Sequence, residues 1–166
     1  TLINHPELFS NYIAIDPSLD WNDQKLSTQA KDQFSSNNYN GKSLFMSLSG
    51  QLHMRKPEVT INNVMQDTSD FTIFARSNMA FSEIAKQNDQ NGLDFNWKFY
   101  PKDLHGTIPF PSILDGLITV FEWYQWENTD KFNSPETPKE ELLSIIKYRG
   151  KKLKDHFGYS VPPYPE

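Results

Sequence analysis

Apolar and polar residues alternate along this chain with two different periods. Between residues 95 and 100, Phe95, Trp97 and Phe99 alternate with residues of the opposite face, which is the two-residue period of a β-strand. Segments 12–16 and 43–49 are short, mostly apolar runs bounded by glycine or proline. The pattern therefore predicts three strands.

Apolar residues spaced three or four positions apart predict four helices between and after these strands. The predicted helices cover residues 23–34, 69–88, 111–126 and a last segment that ends at Gly158, and residues 1–4 are predicted to be the tail of a helix that stops before Pro6. Strands that alternate with helices predict an α/β fold with a parallel sheet.

A parallel sheet of three strands is thin, and we expect an exposed edge that supports self-association with another chain. The chain looks cut at both ends, because residues 1–4 resemble the end of a helix and residues 161–166 form an extended tail. We therefore expect a longer parent protein. Within it, we predict a domain over residues 1–127, a polar linker over 128–138, and a final helix with the tail over 139–166.

Composition narrows the classes of partner. Hydrophobic residues make up 37% of the 166 positions, which is enough for a substantial core. The net charge of −5, with scattered lysines, argues against nucleic acid and anionic membranes as partners. Because the chain has no cysteine, it has no disulfides or thiolate metal sites. The absence of cysteine fits bacterial cytoplasm and periplasm equally, so it does not indicate the cellular compartment. No apolar run is long enough to span a membrane.

His105 is the main candidate for chemistry. It lies in a short polar loop between the strand ending at Tyr100 and the helix that follows Pro111. The carboxyl edge of a parallel sheet is where α/β folds place their active sites. A strand, a histidine loop and a helix in this order are typical of the catalytic histidine of a serine hydrolase. However, the chain contains no Gly-x-Ser-x-Gly motif for the nucleophile.

Several segments together carry a family resemblance. They are residues 5–9 (HPELF), 12–19 (YIAIDPSL), Trp21, 42–46 (KSLFM), 67–72 (DTSDFT) and 100–109 (YPKDLHGTIP). Over residues 4–124 the chain resembles the C-terminal half of α/β-hydrolases of the esterase-D and enterochelin-esterase-like branch. The resemblance implies a serine esterase acting on a small-molecule ester, without a cofactor. It also implies that the nucleophilic serine lies about a dozen residues before Thr1, so this chain alone is expected to be inactive.

A serine hydrolase also needs an acid to orient the histidine. In α/β-hydrolases the chain order is serine, acid, histidine, which directs the search to the loop after the strand 43–49. Asp67 is the first candidate, Asp70 the second and Glu58 a distant third. Both aspartates have an alternative interpretation, because carboxylates at a helix N-terminus commonly act as caps.

The remaining candidates have weaker signals. Trp21 follows the first strand and is a candidate for substrate binding. His53 is interpreted as a surface residue whose loop could border the active site. The four histidines show no metal-ligand spacing, so no metal site is predicted.

Two function hypotheses remain. In the first, the chain is part of a serine esterase and supplies the histidine and an acid, although a peptidase or acyltransferase with the same triad is not distinguished. In the second, it is a non-catalytic hydrolase-fold module for binding or assembly. The sequence upstream of Thr1 discriminates between them, because a nucleophile motif there supports the enzyme.

Overall fold

The structure, a computed structural model, describes residues 1–161. Apart from Val161, the tail predicted over residues 161–166 therefore lies outside the described residues. The chain forms two compact units, Thr1–Val120 and Phe121–Glu166. The predicted division into segments 1–127, 128–138 and 139–166 stays a prediction.

The first unit contains a parallel sheet of three strands. They are β1 (Asn11–Ile15), β2 (Lys42–Ser49) and β3 (Leu93–Tyr100), in the order β1-β2-β3. Both pairings are parallel, with Ile13 opposite Phe45 and Phe45 opposite Asn96. The predicted parallel α/β architecture is confirmed. Since β1 and β3 are the two edges of the described sheet, self-association through an edge stays a prediction.

The described residues form four α-helices, three in the first unit and one in the second. They are α1 (Trp21–Ser36), α2 (Ile73–Gln87), α3 (Pro109–Val120) and α4 (Lys139–Phe157), with short 3-10 turns at Val64–Gln66, Asp70–Thr72, Asp89–Asn91, Glu122–Tyr124 and Thr129–Asn133. Gly92, which ends the 3-10 turn Asp89–Asn91 after α2, and Gly158, which ends α4, both adopt the left-handed conformation. The predicted elements are thus present, with three local differences.

The differences lie at the ends of elements. Residues 1–4 form a turn, in which the amides of Asn4 and His5 both donate to the carbonyl of Thr1, and not a helix. The backbone at Asn22, Asp23 and Gln24 has positive φ, so right-handed helix begins only after Gln24. Helix α3 ends at Val120, six residues before the predicted end at 126, and a 3-10 turn follows.

The central strand β2 separates two apolar layers. Leu44 and Met46 face a buried cluster with residues of α1 and α2 such as Phe34 and Phe81. The alternate residues of β2 face α3, where Gly116 approaches Phe45 closely and the hydroxyl of Ser112 donates to Ser47 at 2.7 Å. Residues of β2 from Leu44 to Ser49 are buried, as expected for a parallel strand covered on both faces.

A polar bridge ties β3 to α3. The hydroxyl of Tyr100 and the ammonium of Lys98 both donate to Asp115 Oδ2, each at 2.5 Å. Burial, and then the bond to Asp115, raise the pKa of the Tyr100 hydroxyl above its ordinary value, while Lys98 and Tyr100 lower the pKa of Asp115. Because Tyr100 ends β3, the bridge fixes the point at which the loop carrying His105 begins.

The second unit is organised around Arg149 of α4, which is buried. Its guanidinium donates from Nη1 to the carbonyls of Trp123 and Gln125, at 3.0 and 3.3 Å, and lies over the rings of Tyr124 and Trp126. These contacts cap the 3-10 turn Glu122–Tyr124 with a cation. The role of Arg149 in this unit is therefore structural.

Candidate active site

The site begins with Asp16, the residue directly after β1. Its backbone amide continues the sheet by donating to the carbonyl of Ser47, and its φ of 43° is one that Asp and Asn tolerate better than most residues. Its side chain is 1% exposed. One carboxylate oxygen, Oδ1, accepts from the Ser49 amide at 2.8 Å, so the end of the neighbouring strand holds the carboxylate in place.

His105 is positioned by a loop that packs against the end of β2. The amide of Gly50 donates to the carbonyl of Asp103 at 2.8 Å, and the amide of His105 donates to Gln51 Oε1 at 3.3 Å. At the far end of the loop, Ile108 is completely buried and precedes α3. The loop is therefore anchored on both sides of the histidine.

Asp16 and His105 form a hydrogen-bonded pair. Asp16 Oδ2 lies 2.8 Å from His105 Nδ1. An ionised carboxylate can only accept, so Nδ1 carries the proton and the neutral imidazole has Nε2 as its acceptor. The His105 side chain is 61% exposed, and the ring of Phe74 stands edge-on to it at 5.8 Å. A buried acid that orients a half-exposed imidazole is the geometry that a general base requires.

The structure does not bring Asp67 or Asp70 to His105. Asp67 forms an ion pair with Lys56, and its Oδ1 accepts from the amide and hydroxyl of Ser69, at 2.7 and 2.5 Å. Asp70 is exposed at the start of its 3-10 turn. The hypothesis that either is the triad acid finds no support in this geometry, because the buried carboxylate within reach of the imidazole belongs to Asp16.

The contacts of Asp67 predict how acid affects stability. The ion pair with Lys56, and then the hydrogen bonds from Ser69, hold the pKa of Asp67 well below its usual range. A lowered pKa stabilises the folded state above the unfolded pKa of about 3.9, and this contribution is lost as the pH falls through the folded pKa. We expect Asp67→Asn to lower the urea midpoint at pH 7. Between pH 5 and pH 2, the midpoint of this variant should decrease less than that of the parent protein.

The matched control for this experiment is Asp70→Asn. The Asp70 side chain is exposed and accepts no hydrogen bond from residues 1–161. Its replacement should leave the midpoint unchanged at pH 7. Equal losses for both variants would show that the Asp67 contacts do not stabilise the fold.

A cavity of about 300 Å³ opens beside His105. Its polar lining residues include Asp16, Ser18 and Ser49, and its apolar lining residues are Leu52, Met54, Phe71 and Phe74. His53 also lines it, and the amide of Lys56 donates to His53 Nδ1 at 3.0 Å. The loop of His53 thus forms part of the cavity lining.

The role of Trp21 in substrate binding stays a prediction. Its side chain is 75% exposed and does not line the cavity. Sequence reasoning missed Gln51, Phe74 and, above all, Asp16, which it treated only as the end of a strand. The available signal was the position of Asp16 at the carboxyl end of a strand, on the same edge as His105.

The described residues 1–161 contain neither a metal-binding cluster nor a membrane-spanning helix. No group of three or more His, Cys, Asp or Glu side chains in this range is arranged to hold a metal ion. No helix in the same range is both long and apolar enough to cross a membrane.

Comparison with known proteins identifies the fold. Among solved structures, the chain is similar to an IroE-like serine hydrolase from Shewanella oneidensis, with 22% identity and a TM-score of 0.64 over 98% of this chain and 44% of that one. This chain has an α/β-hydrolase-like fold. It is also similar to the siderophore hydrolase EstB from Aspergillus nidulans, with 22% identity and a TM-score of 0.46 over 74% of this chain and 43% of that one. No family model and no curated protein matches the chain.

The comparison confirms the fold that the sequence resemblance implies. The chain spans less than half the length of each of the two solved structures. At this level of identity the likeness concerns the fold. The activity of the whole protein is therefore a matter for proposal.

Proposed function

We propose that this chain is part of a serine esterase in which His105 is the general base and Asp16 is the acid that orients it. The observation that carries the proposal is the 2.8 Å contact between Asp16 Oδ2 and His105 Nδ1, with the imidazole opening onto a cavity. The similarity to a structure described as a serine hydrolase supports the same reaction class.

The proposed mechanism follows from the protonation of the pair. His105 Nε2 takes the proton of the serine hydroxyl as its oxygen attacks the ester carbonyl, and the carboxylate of Asp16 stabilises the resulting imidazolium. The imidazolium then gives this proton to the departing alcohol. Water, activated by the same nitrogen, hydrolyses the acyl-enzyme and restores the serine.

The nucleophilic serine is proposed to lie outside these 166 residues. Ser49 is completely buried, and its hydroxyl oxygen accepts from the amide of Gln51. Ser18 is exposed and lines the cavity, but no serine hydroxyl in residues 1–161 lies within hydrogen-bond distance of the His105 ring. A parent protein with the nucleophile upstream accounts for a complete histidine and acid pair without its serine.

The test compares the 166-residue chain with the product of its complete gene. We expect the complete protein to hydrolyse p-nitrophenyl butyrate and to be labelled on one serine by a fluorophosphonate. His105→Ala should reduce turnover by roughly 10⁴-fold or more. The 166-residue chain should neither turn over the ester nor take the label.

Three outcomes contradict parts of this proposal. Labelling of Ser18 with His105-dependent turnover by the 166-residue chain would place the nucleophile in this chain. A complete protein that binds no fluorophosphonate and hydrolyses no ester would support a non-catalytic binding or assembly module. Turnover that survives His105→Ala would remove the histidine from the mechanism.

A further inference from the structure

The cavity beside His105 has an apolar wall formed by two segments that are distant along the chain. Met54 and Phe71 lie on it and are 79% and 39% exposed, so both side chains are accessible to a ligand in the cavity. The amide of Met54 donates to the carbonyl of Phe71 at 3.1 Å, so the two residues are joined through the backbone.

A polar cluster behind this wall holds the two segments together. Lys56 follows Met54 by two residues and forms an ion pair with Asp67. The same carboxylate accepts from Thr72 Oγ1 at 3.1 Å, and Arg76 donates to Thr72 Oγ1 and to the Ser69 carbonyl. Asp67 therefore connects the residues that flank Met54 and Phe71, and the wall is formed before any ligand arrives.

The size of the cavity limits the group it can take. In an engineered protein, a cavity of about 150 Å³ holds one benzene molecule. Protein interiors are closely packed, so a bound group usually has a volume similar to that of its cavity. The cavity beside His105 measures about 300 Å³. It therefore has room for a single aromatic ring, or a chain of comparable volume, together with the ester atoms.

The charge of the lining residues also limits which chemical groups the cavity can bind. Asp16 and Asp20 both line the cavity, and no lysine or arginine is among its described lining residues. The guanidinium of Arg55 lies over the ring of Phe71, 5.8 Å from the ring centroid, and does not line the cavity. The acidic residues of the lining, with no lysine or arginine among them, thus disfavour an anionic group next to His105.

We infer that this cavity binds a neutral apolar group of the substrate, of about the volume of a phenylpropyl group, and that Met54 and Phe71 determine which groups fit. The inference rests on the proposed function only in taking the bound group to be part of an ester. Asp67 is a positioning residue in this arrangement, since it lies behind the wall and shapes the cavity through Lys56 and Thr72.

Binding to the 166-residue chain tests the inference without any hydrolysis. The probes are 3-phenylpropanamide, which is neutral, and 3-phenylpropanoate, which has nearly the same shape and one negative charge. The signals are the methyl resonances of Met54 and Met65 and the Cε1 proton of His105 in NMR spectra. Met65 is 50% exposed and does not line the cavity, so it serves as an internal reference.

We expect the amide to shift the Met54 and His105 signals with a Kd of about 1 mM, and the carboxylate to bind on the order of tenfold more weakly. Met54→Gln should weaken amide binding about fivefold, measured from the shift of the His105 Cε1 proton. Met65→Gln should leave the affinity for the amide unchanged. Asp67→Asn should weaken binding at a temperature where the protein remains folded, and Asp67→Glu should restore part of the affinity.

Several results would overturn the inference. Equal or tighter binding of the carboxylate would show that the lining carboxylates do not select against anions. Shifts at Met65 equal to those at Met54, or no effect of Met54→Gln, would show that the wall does not form the binding site. Amide binding without esterase activity in the complete protein would contradict the proposed function alone, whereas esterase activity without amide binding would contradict this inference alone.

Discussion

Asp16→Asn is expected to lower the turnover of the complete protein on the order of 10⁴-fold, with little change in its stability. An amide at this position presents an NH₂ group or a weaker acceptor to His105 Nδ1, so the imidazole loses the tautomer in which Nε2 accepts a proton. Asn tolerates the positive φ of 43°, and its carbonyl oxygen can still accept from the Ser49 amide. The measurement is kcat with p-nitrophenyl butyrate, together with a urea unfolding curve.

The matched control is Asp70→Asn, which removes an exposed carboxylate of the same type from the first turn after Ser69. It should leave kcat unchanged. Asp67→Asn should act mainly on KM, through the wall of the cavity. If Asp67→Asn instead causes the four-decade loss in kcat while Asp16→Asn does not, the acid suggested by the order of residues along the chain is the functional one.

Gly50→Ala is expected to displace the loop that carries His105. A Cβ at residue 50 would lie 2.3 Å from the carbonyl oxygen of Pro101 and 2.8 Å from its carbon, and backbone atoms cannot move aside as a flexible side chain can. Overpacking of this kind typically costs about 1–3 kcal/mol of unfolding free energy. The Gly50–Asp103 hydrogen bond would also be strained, so both the urea midpoint and the esterase activity of the complete protein should fall.

Gly106→Ala is the control for this prediction. Gly106 directly follows His105, but a Cβ there would meet no atom within 4 Å. The stability of this variant should stay within about 0.5 kcal/mol of the parent. A Gly50→Ala protein with unchanged stability and activity would show that the close approach of residues 50 and 101 does not position the histidine.

Much of the fold could be predicted from the sequence because its local signals agree with one another. The alternation around Phe95, Trp97 and Phe99 marks β3, and the buried run that ends at Ser49 marks β2. Gly92 and Gly158 end their helices in the left-handed conformation that glycine favours. Periodicity failed where tertiary contacts decide, since α3 stops at Val120 although the apolar pattern continues.

The sequence signals the histidine of the pair but not its acid. His105 is signalled locally, by a strand, a polar loop and a helix in sequence. Its partner Asp16 lies 89 positions earlier, and the two meet only because parallel strands bring their carboxyl ends to one edge. Asp67 is favoured by the sequence because it precedes a helix after the expected strand, but in the structure Lys56, Ser69 and Thr72 engage both of its carboxylate oxygens.

The bridge from Tyr100 to Asp115 closes residues 100–115 into a ring, with His105 inside it. A closed ring samples far fewer conformations than an open loop of the same length. The conformational entropy of the His105 loop is therefore lost when the chain folds. It is not lost again each time a substrate binds. A half-exposed histidine can in this way be as well ordered as a buried one while remaining open to solvent.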